Sequence, residues 1–278
     1  YIMRIEKLKR EANKENAIDS VFRMFNPGLN IDLDSLNITF NDKGNIIYNK
    51  QKTILKRVSS LRDSERGSYI IPNNIEVIGY RSFEDRLIKS IRLIDKKIEQ
   101  FAFLRANIED LHLYNSYTDV ASFMEATIKD IVFRCPIMIN DAFCCSFIWG
   151  KIDLPNTLTS IGKRVFQNAT LTSRIIDLSG MDNLNLIGKG AFDISEDSEM
   201  VYIIAPPNPE CWELGYFNSS SKVKIIDLNY IGEEEETDFY SSKGLELATI
   251  EEALRSKIIP ESFHEYIRIH DLCYGLEV

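Results

Sequence analysis

Ala102-Phe103-Leu104-Arg105-Ala106-Asn107-Ile108-Glu109-Asp110-Leu111-His112-Leu113 is followed twenty residues later by Ser122-Phe123-Met124-Glu125-Ala126-Thr127-Ile128-Lys129-Asp130-Ile131-Val132-Phe133. Both stretches run small residue, Phe, two variable residues, Ala, and then apolar positions separated by polar ones. Working outward, the same Phe returns as Phe83, Phe143, Phe166 and Phe192, so six phenylalanines stand at intervals of 20, 20, 20, 23 and 26 residues. A period in this range marks a solenoid, in which each unit buries its apolar face by stacking on the next. The wider final intervals place insertions in the loops of the last two units.

Columns aligned on the Phe carry the packing. Five residues earlier stand Ile78, Ile98, Thr118, Met138, Ile161 and Ile187; immediately before it stand Ser82, Ala102, Ser122, Ala142, Val165 and Ala191. Three residues later come Arg86, Ala106, Ala126, Ser146, Ala169 and Ser195. Small residues around one large ring suit a close-packed coil with room for one bulky side chain per layer, so the Phe reads as interior. Five residues after it, Ile88, Ile108, Ile128, Ile148 and Leu171 open a short alternating pattern such as Ile91-Arg92-Leu93 and Ile152-Asp153-Leu154. Period two marks a strand with one face inward. One strand per unit is expected, paired into a parallel sheet with a continuous outer face.

That outer face supplies the candidate contact residues: Ser90, Arg92 and Ile94; Asp110, His112 and Tyr114; Asp130, Val132 and Arg134; Lys151 and Asp153; and Ile175, Asp177 and Ser179. Charge, Tyr, Arg and aliphatics in one strip are the composition of a protein-contact surface, with Tyr and Arg as usual anchors. The plainer alternative is a solvated face with no partner.

Ile71-Pro72-Asn73-Asn74-Ile75-Glu76-Val77-Ile78-Gly79 and Leu154-Pro155-Asn156-Thr157-Leu158-Thr159-Ser160-Ile161-Gly162-Lys163-Arg164-Val165-Phe166 resemble the BspA-type leucine-rich repeat, whose units read roughly I-P-x-x-(V/L)-x-x-I-G-x-x-A-F. Ile187-Gly188-Lys189-Gly190-Ala191-Phe192 matches its second half, and the resemblance spans about residues 46 to 226. Units three and four depart from it with Asp119 and Ile139 in place of Gly, and with Thr118 in place of Ile. The resemblance implies an α/β solenoid: a right-handed leucine-rich-repeat-like coil with a parallel sheet on one face, short irregular or helical connections on the other, and helical flanks. It also implies a non-enzymatic recognition or adhesion module with a protein or glycan partner, at the cell surface or secreted.

Composition bounds the alternatives. The 278 residues are 44% hydrophobic and 27% charged, enough for a large core. Apolar runs are too short to span a bilayer, so no membrane insertion is expected. A formal charge of −9 argues against nucleic acid, which needs a basic stripe. Arg4, Glu6, Lys7, Lys9, Arg10 and Glu11 interrupt any signal-peptide core, while Tyr1 in place of Met leaves room for a removed leader. Five cysteines, Cys135, Cys144, Cys145, Cys211 and Cys273, follow no disulfide framework and slightly favour a reducing compartment; an intracellular or virion location stays open.

The expected organisation is a helical flank or cap over 1–37, a hairpin lead-in over 38–68, the solenoid with its C-terminal cap over 69–231, an acidic linker over 232–247 and a helical tail over 248–278. In the hairpin, Ile46-Ile47-Tyr48 and Ile54-Leu55 flank Asn49-Lys50-Gln51-Lys52. Tyr202-Ile203-Ile204 and Lys224-Ile225-Ile226 read as further stacked strands that close the open end. In the tail, Thr249-Ile250-Glu251-Glu252 has capping-box spacing and Pro260 opens a second helix.

Catalytic signals are sparse. Gly188-Lys189-Gly190 lacks the third glycine of a phosphate loop and falls where the repeat needs a turn. His264 and His270 are six apart rather than four, and His112 stands alone. The vicinal pair Cys144-Cys145 is read as buried small thiols. No catalytic residue, cofactor or metal is therefore assigned. Beside the recognition module, the open readings are a structural subunit of a larger assembly, such as a virion or surface array, joined through its helical flanks and C-terminal tail, and an enzyme with an unrecognised site.

Overall fold

A computed structural model describes residues 38–40, 46–58, 67–213, 222–227 and 239–248. From the hairpin onward the chain winds into a parallel β-solenoid of about seven turns resembling a leucine-rich-repeat coil. Each of the first regular turns contributes two strands rather than the one expected. The apolar column before the Phe forms a narrow sheet through Val77–Ile78, Lys97–Ile98 and Tyr117–Thr118. The column after it opens the strands of a broad sheet, Leu87–Ile94, Asn107–Tyr114 and Thr127–Arg134, with Gly67–Ile70 at its edge.

Between the sheets the chain turns around the Phe without helix. Residues two before and two after the ring take positive φ: Arg81, Phe101, Ala121, Asp141 and Arg164 on one side, Asp85, Arg105, Glu125, Cys145 and Asn168 on the other, with Gly190 completing the first series. Two left-handed bends bring the backbone around one ring, and the freed amides bond to the neighbouring coil. Phe83, Phe103 and Phe123 donate their N–H to Ala102, Ser122 and Ala142 carbonyls at 2.8 to 2.9 Å. A helix would direct these donors along its own axis, so a connection whose N–H groups already serve the next coil cannot form one. Among the described residues the solenoid is thus all-β with irregular connections, a correction to the α/β expectation. Helix is confined to a 3-10 turn at Pro209–Cys211 and one turn over 239–242. The helical flanks expected over 1–37 and 248–278, with His264, His270 and Cys273, lie outside the described residues, apart from Ala248, and no helical flank is present among the described ones.

The rings form the axis of the core. Consecutive phenylalanines from Phe83 to Phe192 stack with centroids 4.8, 4.8, 5.2, 5.6 and 5.7 Å apart, and all six are at most 1% exposed. The shortest spacings equal the strand separation of a β-sheet, so the backbone ladder sets the ring ladder. Tyr69 meets the first ring edge-on at 83°, and Trp212 tilts against the last at 55°. Burying each ring is worth about 1.5–3 kcal/mol.

The ends are closed by different devices. Ile46–Asn49 and Ile54–Val58 form an antiparallel hairpin whose second strand pairs parallel with Val77–Ile78. Arg57 ties this hairpin to the first coil: it donates to the Arg81 carbonyl and lies 3.2 Å from the Glu84 carboxylate, which Arg81 and Arg105 also reach at 3.5 and 2.8 Å. At the other end Val201–Ile204 and Val223–Ile226 continue the stack, and Ile225 bridges Leu247. Within the stretch read as an acidic linker, residues 239–247 pack on this last coil: Tyr240 is buried and donates to Asp227, and Lys243 donates to the Trp212 carbonyl at 2.9 Å. The aromatic ring and the apolar Leu245 and Leu247 account for the docking, which the flanking run of glutamates masks in the sequence.

Candidate functional site

The outer face of the broad sheet is built by register. Leu87–Ile94, Asn107–Tyr114 and Thr127–Arg134 pair in step, so equivalent residues stand side by side. Each strand buries Ile88, Ile91 and Leu93 or their equivalents, and the register passes over one residue (Lys89, Glu109 or Lys129) after the first apolar position. Strict alternation therefore begins only at the second apolar position. Three columns of outward side chains result. Ser90, Asp110 and Asp130 form the first; Arg92, His112, Val132 and Asp153 the second; Ile94, Tyr114 and Arg134 the third.

The columns touch one another. The Arg92 guanidinium lies over the Tyr114 ring at 4.6 Å, a cation–π contact, and the His112 and Tyr114 rings lie 6.3 Å apart with planes within 9°. Arg134 bonds Asp153 at 2.6 Å and also donates to the Phe133 and Asp153 carbonyls. Asp130 accepts the Lys151 N–H at 2.9 Å and lies 3.4 Å from the Lys129 ammonium. Arg92 and Ile94 are exposed, whereas His112, Tyr114, Val132 and Arg134 are half-buried by their neighbours. Such a surface has its side chains held in place before any partner arrives.

The outward columns stop at the fourth coil, although the sheet itself runs on from Phe147–Ile148 to Thr170–Leu171 of the fifth, which corrects the expected continuity. Phe147–Ile148 and Ile152–Asp153 both pair with Thr127–Arg134, because one added residue splits the strand that was continuous in earlier coils. Gly150 absorbs that insertion: a Cβ there would stand 2.4 Å from Asp130 Oδ1 and 2.5 Å from the Lys129 carbonyl. The insertion thus lies partly inside the strand, not wholly in loops. Asp177, with its neighbours Ile175 and Ser179, is not brought to the other eleven candidates. It lies on Ile175–Asp177, in a separate sheet with Val201–Ile204, and its Oδ1 accepts both the N–H and the hydroxyl of Ser179 at 2.9 and 2.6 Å. That is a local turn bond, with the Asp side chain engaged by its own loop.

Two residues absent from the sequence reading stand at the interruption. Phe147 and Trp149 are 41% and 45% exposed, and Lys129 lies 5.7 Å from the Trp149 ring centroid. The signal was present: where earlier coils place charged Lys89, Glu109 and Lys129 after the first apolar position, the fourth places Trp149. Large exposed aromatics on a sheet face are contact residues in the usual sense.

The remaining chemical candidates resolve into structure. Gly188 lies against the neighbouring coil, where a Cβ would meet Lys163 N at 2.6 Å, and Gly190 has φ of +69°. Cys135, Cys144 and Cys211 are buried, but Cys145 is only half-buried, which corrects its reading as a core thiol. Burial pushes the Cys211 thiol up to about 12, with Lys243 opposing. Among the described residues no group of three or more His, Cys, Asp or Glu side chains is arranged to hold a metal, and no helix is long and apolar enough to cross a membrane.

A family model described as a BspA type leucine rich repeat region matches the chain in six copies, over residues 59–172 and 137–270. No curated protein and no solved structure matches it.

Proposed function

Because the chain belongs to the BspA-type leucine-rich-repeat family, we propose that it is a non-enzymatic recognition module whose protein partner docks on the outer face of the broad sheet. The observation that carries this reading is the registered set of Arg92, His112 and Tyr114 with Ile94, Val132 and Arg134 on three adjacent strands. A rigid sheet loses little side-chain freedom when a partner arrives, and Tyr and Arg contribute the largest energies per residue in such contacts. Exposed Trp149 and Phe147 extend the face toward the fourth coil. Shallow, extended faces suit a macromolecule better than a small substrate.

The test is comparative capture. The intact chain, a chain carrying Arg92→Ala, His112→Ala and Tyr114→Ala, and a chain altered only at the exposed turn residue Glu125→Ala are used as baits against the same protein mixture. Specific partners retained by the first and third baits and lost by the second support the reading. Equal recovery by all three, with the folds intact, removes the sheet face as the site.

A further inference from the structure

Cys144 and Cys145 place their sulfurs 3.5 Å apart, at the first and second positions after Phe143. Cys145 takes the left-handed φ of 56° that its column imposes, and its N–H bonds the Gln167 carbonyl at 2.8 Å. Cys135 and Cys211 are 1% and 2% exposed and Cys144 is 8% exposed, so Cys145 alone of the described cysteines is not buried. Beside the pair, Arg164 holds Asp141 through two bonds of 2.8 Å.

We propose that Cys144 and Cys145 form a modification site at which a hydroperoxide converts the two thiols to a vicinal disulfide. The Cys145 thiolate attacks the peroxide oxygen; the O–O bond breaks, the leaving oxygen takes a proton and departs as alcohol or water, and Cys145 becomes a sulfenic acid. Cys144 then attacks that sulfur, the S–O bond breaks, and water leaves with the Cys144 proton. Two thiols have lost two hydrogens, and one hydroperoxide has been reduced.

The surroundings assign the roles. Burial, then the hydrogen bond to Cys145 and the charge on it, then the Asp141 carboxylate push the Cys144 thiol up to about 12, with Arg164 acting the other way. Cys144 therefore keeps its proton, which leaves the less buried Cys145 sulfur, 3.5 Å away, as the attacker. Adjacent α-carbons lie about 3.8 Å apart, below the roughly 4.4–6.8 Å usual for a disulfide, so the product is open to reduction by a dithiol. Glu125 N–H bonds the Cys144 carbonyl at 3.1 Å, so the ring closes where coil four is tied to both neighbours.

The intact chain is treated with dilute hydrogen peroxide, denatured, alkylated and mapped by peptide mass. The expected result is loss of two hydrogens confined to Cys144 and Cys145, reversed by dithiothreitol, with Cys135 and Cys211 fully alkylated. Cys144→Ser should accumulate a dimedone adduct on Cys145, and Cys145→Ser should abolish the peroxide-dependent loss of thiol. Full alkylation of Cys144 and Cys145 after peroxide, pairing of either with Cys135, or an unchanged reaction in Cys145→Ser overturns the proposal.

Discussion

Phe103 lies face to face with Phe83, ring centroids 4.8 Å apart and planes within 7° of parallel, although 20 residues separate them in the chain. The contact joins two coils that have no helix to brace them, so the core energy runs along the ring stack. Phe123, with a stacked ring on each side, is the most informative member. Phe123→Ala is expected to cost about 3–5 kcal/mol from the cavity and lost burial, read as a lower urea midpoint. A loss under about 1 kcal/mol would mean that the neighbouring coils close the gap, and the stack is not the axis of stability.

Thr118 occupies the column that Ile78, Ile98 and Ile161 otherwise fill, at 1% exposure, and its hydroxyl has no hydrogen-bond partner. A buried unsatisfied hydroxyl costs about 1–3 kcal/mol, so Thr118→Val, which keeps the shape and replaces the hydroxyl by a methyl, should raise the unfolding free energy by about that amount. Ser82, whose buried hydroxyl is likewise unpartnered, predicts the same sign for Ser82→Ala. An unchanged or lowered thermal midpoint in both variants would show that the hydroxyls are satisfied by water.

How much of this was legible follows from range. The Phe column, the small residues before it and the strand after it were readable because each is a local spacing repeated five or six times. The second strand was not, because Val77–Ile78 and Lys97–Ile98 are two residues long and too short to show a period. The left-handed bends were hidden for a related reason: Arg81, Phe101 and Glu125 are not turn formers, and the ladder imposes their φ. For the face, eleven of the fourteen named residues stand on the broad sheet or, like Lys151, directly beside it, while Ile175, Asp177 and Ser179 stand apart. Asp177 does so because its strand's partner is chosen by an insertion whose effect depends on the backbone of a neighbouring coil.

Glu84 is 7% exposed and receives Arg57, itself 6% exposed, together with Arg81 and Arg105. Glu84→Ala leaves the Arg57 charge buried against the hairpin and should destabilise by about 3–5 kcal/mol. Asp85→Ala removes a pair with Arg105 in which both side chains are about half exposed, and should cost no more than about 1 kcal/mol. Equal effects in chemical denaturation would place the Glu84 cluster among ordinary surface pairs.

Glu125 has φ of 56°, an exposed side chain, and an N–H that bonds the Cys144 carbonyl at 3.1 Å. Left-handed backbone costs an ordinary L-residue about 1–2 kcal/mol and a β-branched one more, while Asn tolerates it through local hydrogen bonding. Glu125→Asn should therefore be neutral or stabilising, and Glu125→Val destabilising, with about 1–2 kcal/mol between them. Thermal unfolding of the two variants decides; if Val is the more stable, the bend does not persist in solution.

Trp149 separates stability from recognition because it is 45% exposed and sits where the preceding coils carry Lys89, Glu109 and Lys129. Trp149→Lys restores the charge typical of that position and removes the contact with the Lys129 ammonium and the partial packing of the indole, so any loss of stability should stay within about 1 kcal/mol. If partners dock on the broad sheet, the same change should weaken capture by about tenfold or more, the usual cost of losing an exposed Trp anchor. Binding isotherms of the two chains for a partner recovered with the intact protein provide the measurement. Unaltered affinity would confine the contact to the columns of Arg92, His112 and Tyr114, whereas a drop in both stability and affinity would mean that Trp149 serves the coil before it serves a partner.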